Sequence, residues 1–204
     1  MTPRDRLEHD EEIEHIMALN ESSALPFLER GRNNEFGHTR AVVRYGIQIA
    51  KSENLDPIVI GTAAWWHDTG YADLFIGADS SDYHDILERK LEHMEIGARN
   101  VGEFLDKNFV KDLYTSKQKQ LIVHLVKVHD LIVYSNQNSV EEIVLMEADT
   151  LGALDYPTFS NKDMILYLKN QETKRFAKFK TKLGKELLKT QIQNLSTKHG
   201  YTLE

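Results

Sequence analysis

Residues 58–70 read Ile58-Val59-Ile60-Gly61-Thr62-Ala63-Ala64-Trp65-Trp66-His67-Asp68-Thr69-Gly70. An almost wholly apolar run leads into an imidazole and a carboxylate. Such groups at a buried position need partners, because an unpaired buried charge is costly. A divalent metal suits both. Asp56-Pro57 ahead of the run is a helix start, with Asp as cap and Pro in the first turn, and Gly70 is a stop. The stretch therefore predicts a buried helix running to Asp68. His67 and Asp68 would project about 100° apart at its end, where both can reach one centre.

His-Asp occurs four times, at 9–10, 67–68, 84–85 and 129–130. Context separates the copies. His9-Asp10 lies in a polar, acidic stretch, and His84-Asp85 follows the loop-like Gly77-Ala78-Asp79-Ser80-Ser81-Asp82. Both read as solvated surface.

Outward from the opening stretch the pattern is helical almost throughout. Prolines stand only at 3, 26, 57 and 157, and no segment alternates long enough to demand a strand. Helices are expected from Glu11 to Leu19, briefly after Ala24, from His38 to Glu53, from Asp85 to Leu105 and from Ser116 to His129. A further one follows Ser139, which has Glu142 at capping-box spacing, and ends at Tyr156-Pro157. One or two amphipathic helices close the chain. Phe176, Phe179, Leu183 and Leu187 form a stripe there that packs on the body or on a second copy of the chain. The expected fold class is all-α.

The 204 residues suit one domain. The absence of cysteine excludes disulfides, thiolate zinc sites and a cysteine nucleophile. Without an apolar leader or a run approaching the ~20 residues of a membrane helix, a cytoplasmic protein with no membrane partner is expected. Net charge is −7, and the acidic body argues against binding a nucleic-acid duplex. The basic stretch from residue 161 onward reads as a solvated helix face, or as one that steers a phosphorylated substrate.

Two further residues sit in comparable apolar company. His38 lies four residues before Val42, on the stripe Val42, Tyr45, Ile49. Asp149 follows Val144, Leu145 and Met146. Two imidazoles and two carboxylates neutralise one divalent ion, and mixed nitrogen and oxygen donors suit Mn, Fe, Co, Ni or Zn. A metal so held would activate a bound water and polarise a phosphoryl oxygen.

The order of these residues, with His38-Thr39-Arg40-Ala41-Val42, the His67-Asp68 stretch, His93-Met94-Glu95-Ile96-Gly97-Ala98, the helix from Ile122 to His129 and Glu147-Ala148-Asp149-Thr150-Leu151-Gly152-Ala153-Leu154, resembles the HD superfamily of metal-dependent phosphohydrolases. The resemblance covers about residues 36–156. It implies a helical HD bundle extended by helices at 10–30 and 161–198. It also implies His38, His67, Asp68 and Asp149 as ligands of one metal, with Asp68 and His67 at the reaction centre. In many members histidines at the places of His93 and His129 hold a second metal or contact phosphate. His129 shares a stripe with Ile122 and Leu125, whereas His124 lies on another face and ranks lower.

Departures narrow the branch. Tyr71-Ala72 stand where (p)ppGpp hydrolases resemble one another in an acidic pair, and Tyr71 also departs from the 5′-deoxynucleotidase pattern. His129-Asp130-Leu131-Ile132 lacks the Gly-Tyr-Pro of the cyclic-dinucleotide branch. The stretch around Asp149 looks closer to small stand-alone HD hydrolases, although Thr150 replaces their usual Arg. The implied activity is hydrolysis of a nucleotide or related phosphate ester or anhydride through a metal-activated water. Arg40, Arg44 and Lys127 are candidate phosphate contacts. Trp65 and Trp66 read as core or as a base-stacking surface. Two other classes remain open. One is an HD-fold di-iron oxygenase using His93 and His129 or His124; the other is a noncatalytic sensing or structural module held together by its metal.

Overall fold

The computed structural model of the chain describes residues 3–72, 74–75, 82–135, 138–159 and 164–199. Among them it is helical, with no strand. In chain order the helices are α1 (Pro3–Leu28), α2 (Glu35–Ser52), α3 (Pro57–Trp66), α4 (Tyr83–Glu88), α5 (Lys90–Leu105), α6 (Ser116–Val128), α7 (Val140–Asp155), α8 (Met164–Lys174) and α9 (Lys182–His199).

α3 is the axis of the molecule. Every one of its residues is buried, as the hydropathy of its stretch requires. It is wrapped by α1, α2, α5, α6 and α7. The Asp56 side chain caps it, accepting from Ile58 N at 2.9 Å and Val59 N at 3.4 Å. The helix stops at Trp66, with His67 as its C-cap, and a 3₁₀ turn over Thr69–Tyr71 follows. The helix expected to reach Asp68 is thus two residues shorter. Gly70 explains the tight exit: a Cβ there would fall 1.8 Å from the His93 carbonyl oxygen. The turn and α5 meet backbone to backbone, and only glycine permits it.

Trp66 packs on Phe104 with ring centroids 4.8 Å apart and donates to Asn20 Oδ1 at 2.9 Å. Trp65 is 3% exposed beside Phe36. Both tryptophans belong to the core, and the base-stacking alternative is removed.

Other boundaries differ for local reasons. The N-terminal segment is one helix through Pro26, not two. Asn20-Glu21-Ser22-Ser23 resembles a linker, yet Asn20 is fully buried and donates to Tyr114 Oη at 2.9 Å. It continues a stripe of Ile13, Ile16, Ala24 and Leu28 that packs on the core. The helix expected from Asp85 divides at Arg89, which donates to the Leu74 carbonyl at 2.8 Å and lies over the Phe75 ring. Of the loop-like stretch before it only Asp82 is described, as the N-cap of α4; residues 77–81 lie outside the described residues. The capping box of Ser139 and Glu142 forms as expected.

At the C-terminus Phe176 falls in a 3₁₀ turn and Phe179 caps it, so the expected stripe is not a single helix face. The buried face of α9 is Leu188, Ile192 and Leu195, packed within the chain against α7 and α2. Glu147 anchors this segment by accepting from Thr181 N at 3.0 Å. The first residues of the expected 161–198 helices, 161–163, lie outside the described residues. No helix among the described residues is long and apolar enough to cross a membrane.

Candidate metal centre

Three helices deliver four side chains to one buried point. α2 contributes His38 from its first turns, and the end of α3 contributes His67 and Asp68. Asp149 comes from α7, where Gly152 lets α7 approach α2: a Cβ at 152 would lie 2.5 Å from Val42 Cγ2. His38 Nε2 stands 3.3 Å from His67 Nε2, 3.4 Å from Asp68 Oδ2 and 3.3 Å from Asp149 Oδ1. His67 Nε2 is 3.0 Å from Asp68 Oδ2. The ligand atoms of these four buried residues all lie within 4.8 Å of one another.

A second set adjoins the first. The other oxygen of Asp68, Oδ1, is 3.3 Å from His93 Nε2 on α5 and 3.4 Å from His129 Nε2 at the end of α6. Asp68 therefore faces both groups, one oxygen to each. The Nε2 atoms of His93 and His129 are 3.2 Å apart. Their Nδ1 atoms point at the Arg89 and Val126 carbonyls, at 3.3 Å and 2.8 Å. Those contacts assign the ring protons to Nδ1 and leave two Nε2 lone pairs facing one another. His67 is held likewise, its Nδ1 donating to the Ala64 carbonyl at 2.7 Å. Nε2 lone pairs gathered around carboxylates form a donor set chemically fit for divalent transition metals.

The electrostatics point the same way. Burial opposes charge on His67, but Asp68 and Asp149 outweigh it and raise its pKa well above the ordinary value. Burial also opposes ionisation of Asp68. Arg32 and then His67 overcome it and hold the carboxyl well below the usual carboxylate range. Asp149 is held down in the same way by Arg175 and His38 against its burial. His93 is shifted down by burial, which keeps the imidazole neutral and able to bind a metal. The pocket is one that attracts a cation.

Four residues unforeseen in the sequence complete it: Arg32, Lys90, Asp130 and Arg175. Arg32, from the turn before α2, donates to Asp68 and, at 2.6 Å, to Glu35. Its guanidinium lies 4.1 Å from the Tyr71 ring centroid, and Tyr71 in turn stacks on His93 at 4.0 Å. Arg175, after α8, donates to both Asp149 and Asp130. Lys90 donates to Asp130 at 2.8 Å. Asp130 had a legible signal, since His129-Asp130 ends an apolar helix just as His67-Asp68 does. Arg32 and Arg175 had none, sitting in a turn-rich stretch and a basic tail. The two arginines and Lys90 line a cavity of about 50 Å³ beside the cluster, together with Tyr83, Phe159 and Tyr167.

Four expected site residues lie elsewhere. His124 is half exposed and pairs with Glu142 at 2.7 Å; the five residues separating it from His129 turn it away. Arg44 is bonded to Asp155 at 2.6 Å on the outer side of α2. Arg40 lies over Phe36 and lines a separate groove between α1 and α2. Lys127 pairs with Glu95 at 3.1 Å in solvent. Arg40, Arg44 and Lys127 each stand two residues from an inward position, His38, Val42 or His129, and so about 200° around the helix.

A family model described as HD domain matches residues 36–154. No curated protein matches the chain. The chain is similar in fold to the crystal structure of a predicted HD superfamily hydrolase from an uncultured Thermotogales bacterium. The likeness covers 88% of this chain and 87% of that one, with 16% sequence identity and a TM-score of 0.59.

Proposed function

The chain belongs to the HD-domain family, and from that premise we propose that it is a metal-dependent phosphohydrolase acting on a nucleotide or a related phosphate ester or anhydride. The observation that carries this reading is the pair of buried His/Asp sets sharing Asp68, with a cavity beside them lined by Arg32, Lys90 and Arg175. His38, His67, Asp68 and Asp149 would hold one divalent metal, and Asp68, His93 and His129 would hold a second. Bound there, such ions activate water and polarise a phosphoryl oxygen.

The protein's own groups do the rest. The backbone contacts at Nδ1 orient His67, His93 and His129 so that each presents its Nε2 to the centre. Arg32, Lys90 and Arg175 supply fixed positive charge where phosphoryl oxygens would gather. Burial of the cluster excludes bulk water and strengthens each of these interactions. A cavity of about 50 Å³ has room for a few waters, not for a nucleoside. In this reading the phosphoryl end enters the cavity and the organic part stays outside it.

A phosphate-release screen over nucleotides with the manganese- or cobalt-loaded protein tests the proposal. Release that depends on metal and disappears in Asp68→Ala supports it; no release from any phosphorylated compound contradicts it. The sharing of Asp68 between two histidine-bearing sets also favours one second reading, a di-iron oxygenase. Two irons per chain with oxygen-dependent turnover would favour that over hydrolysis.

A further inference from the structure

Asp130 lies outside both sets described above, yet its carboxylate is arranged like that of Asp149. One oxygen of Asp149, Oδ2, takes the Arg175 guanidinium, and the other, Oδ1, faces His38 Nε2 at 3.3 Å and His67 Nε2 at 3.7 Å. In Asp130, Oδ1 takes Arg175 and Lys90. Its Oδ2 faces His93 Nε2 at 3.8 Å and His129 Nε2 at 3.9 Å. A single guanidinium thus grips the outer oxygen of each aspartate and turns the inner oxygen of each toward a histidine pair. Asp130 is 7% exposed, and a carboxylate has about four lone-pair sites, so the cations on Oδ1 leave Oδ2 able to bind.

We propose that Asp130 is a ligand of a second metal position formed with His93, His129 and the shared oxygen of Asp68, and that Arg175 aligns it together with Asp149. This rests on the reading of the site as a metal centre. It makes the two positions alike, each with two imidazoles and two carboxylates. It also gives the segment after α8, which lies beyond the residues matched by the family model, a part in building the centre.

Manganese titration of the full chain, followed by metal content and by electron paramagnetic resonance, tests the assignment. Wild type is expected to take up two equivalents and to show the signal of an exchange-coupled pair. Asp130→Asn should keep the first equivalent within about twofold and weaken the second by at least ~10-fold, leaving the signal of isolated ions. A second equivalent bound as tightly as in wild type overturns the proposal, and so does equal loss of both equivalents. Because Asp130→Asn leaves Arg175 and Lys90 short of a counter-charge, a crystal structure of metal-loaded wild type serves as the variant-free measurement. Asp130 Oδ2 is expected at bonding distance, roughly 2 Å, from an ion at His93 and His129; an ion there without Asp130 in contact overturns the proposal. Wild type that holds one equivalent sinks this inference alone, whereas wild type that holds none sinks the metal reading beneath it.

Discussion

The Nε2 atoms of His93 and His129 face each other at 3.2 Å, and each ring turns its Nδ1 to a backbone carbonyl. Two lone pairs in that position repel unless a cation lies beside them. A ligand that binds only the folded chain stabilises it, by about 2.7 kcal/mol at a hundred times its dissociation constant. For a chain of this length, that is roughly 5–10 °C in melting temperature. Manganese or zinc should therefore raise the melting temperature of chelator-treated protein by about that amount, and leave Asp68→Ala nearly unmoved. Calorimetry with and without metal measures it; equal shifts in the two proteins would count against the site.

Gly70 and the His93 carbonyl leave no space for a side chain, since a Cβ would approach to 1.8 Å. Gly70→Ala must push the turn after α3 away from α5. Overpacking of a tight contact costs about 1–3 kcal/mol, and more where backbone must move. Urea unfolding is expected to show a loss at the upper end of that range. Metal uptake should fall with it, because Asp68 and His93 are displaced from one another. Wild-type stability in this variant would mean that the two backbones are not in contact.

Arg32 and Arg44 separate a charge inside the site from one outside it. Arg44 is 58% exposed on its side chain and pairs with Asp155, an arrangement worth little in water. Arg44→Ala and Lys127→Ala are expected to leave phosphate release within about twofold of wild type. Arg32→Ala removes a charge-assisted contact worth about 1.5–3 kcal/mol, and so should lower turnover by roughly 10- to 100-fold. Steady-state rates on any accepted substrate decide the matter, and a silent Arg32→Ala contradicts the account.

Glu147 ties α7 to the start of α9 through Thr181, and Gly184 is small because a Cβ would reach 2.0 Å from Glu147 Oε2. Glu147→Ala leaves the backbone N–H groups of Lys180 and Thr181 and the Thr181 hydroxyl without their acceptor. A destabilisation of about 1–3 kcal/mol is expected, and hydrogen exchange should speed up first in residues 182–199. Uniform exchange across the chain would show that α9 is not a separately anchored element.

Much of this architecture is legible from the chain. The apolar run into His67-Asp68, the Asp56 cap, the Ser139–Glu142 box and the inward stripe of His38 are local patterns whose physical meaning survives folding. What escaped depends on contacts distant in sequence. Asn20 looks like a linker residue until Trp66 and Tyr114 are placed beside it. Arg32 and Arg175 look like surface charge until Asp68 and Asp149 are brought to them. Asp130 carries the same local signal as Asp68, an acidic residue after a histidine at the end of an apolar helix, and only the placement of Arg175 and Lys90 gives it meaning. Arg40, Arg44 and Lys127 lie elsewhere for a geometric reason: a residue two positions from an inward one is about half a turn around the helix from it.

The claim on which the rest depends is that His38, His67, Asp68 and Asp149 hold a divalent metal. Metal content of protein purified without added metal, compared with Asp68→Ala of matched helicity by circular dichroism, tests it most directly. The account predicts at least one equivalent of a transition metal in wild type and essentially none in the variant. Equal metal in both, or a wild-type protein that takes up none even when metal is supplied, would contradict it.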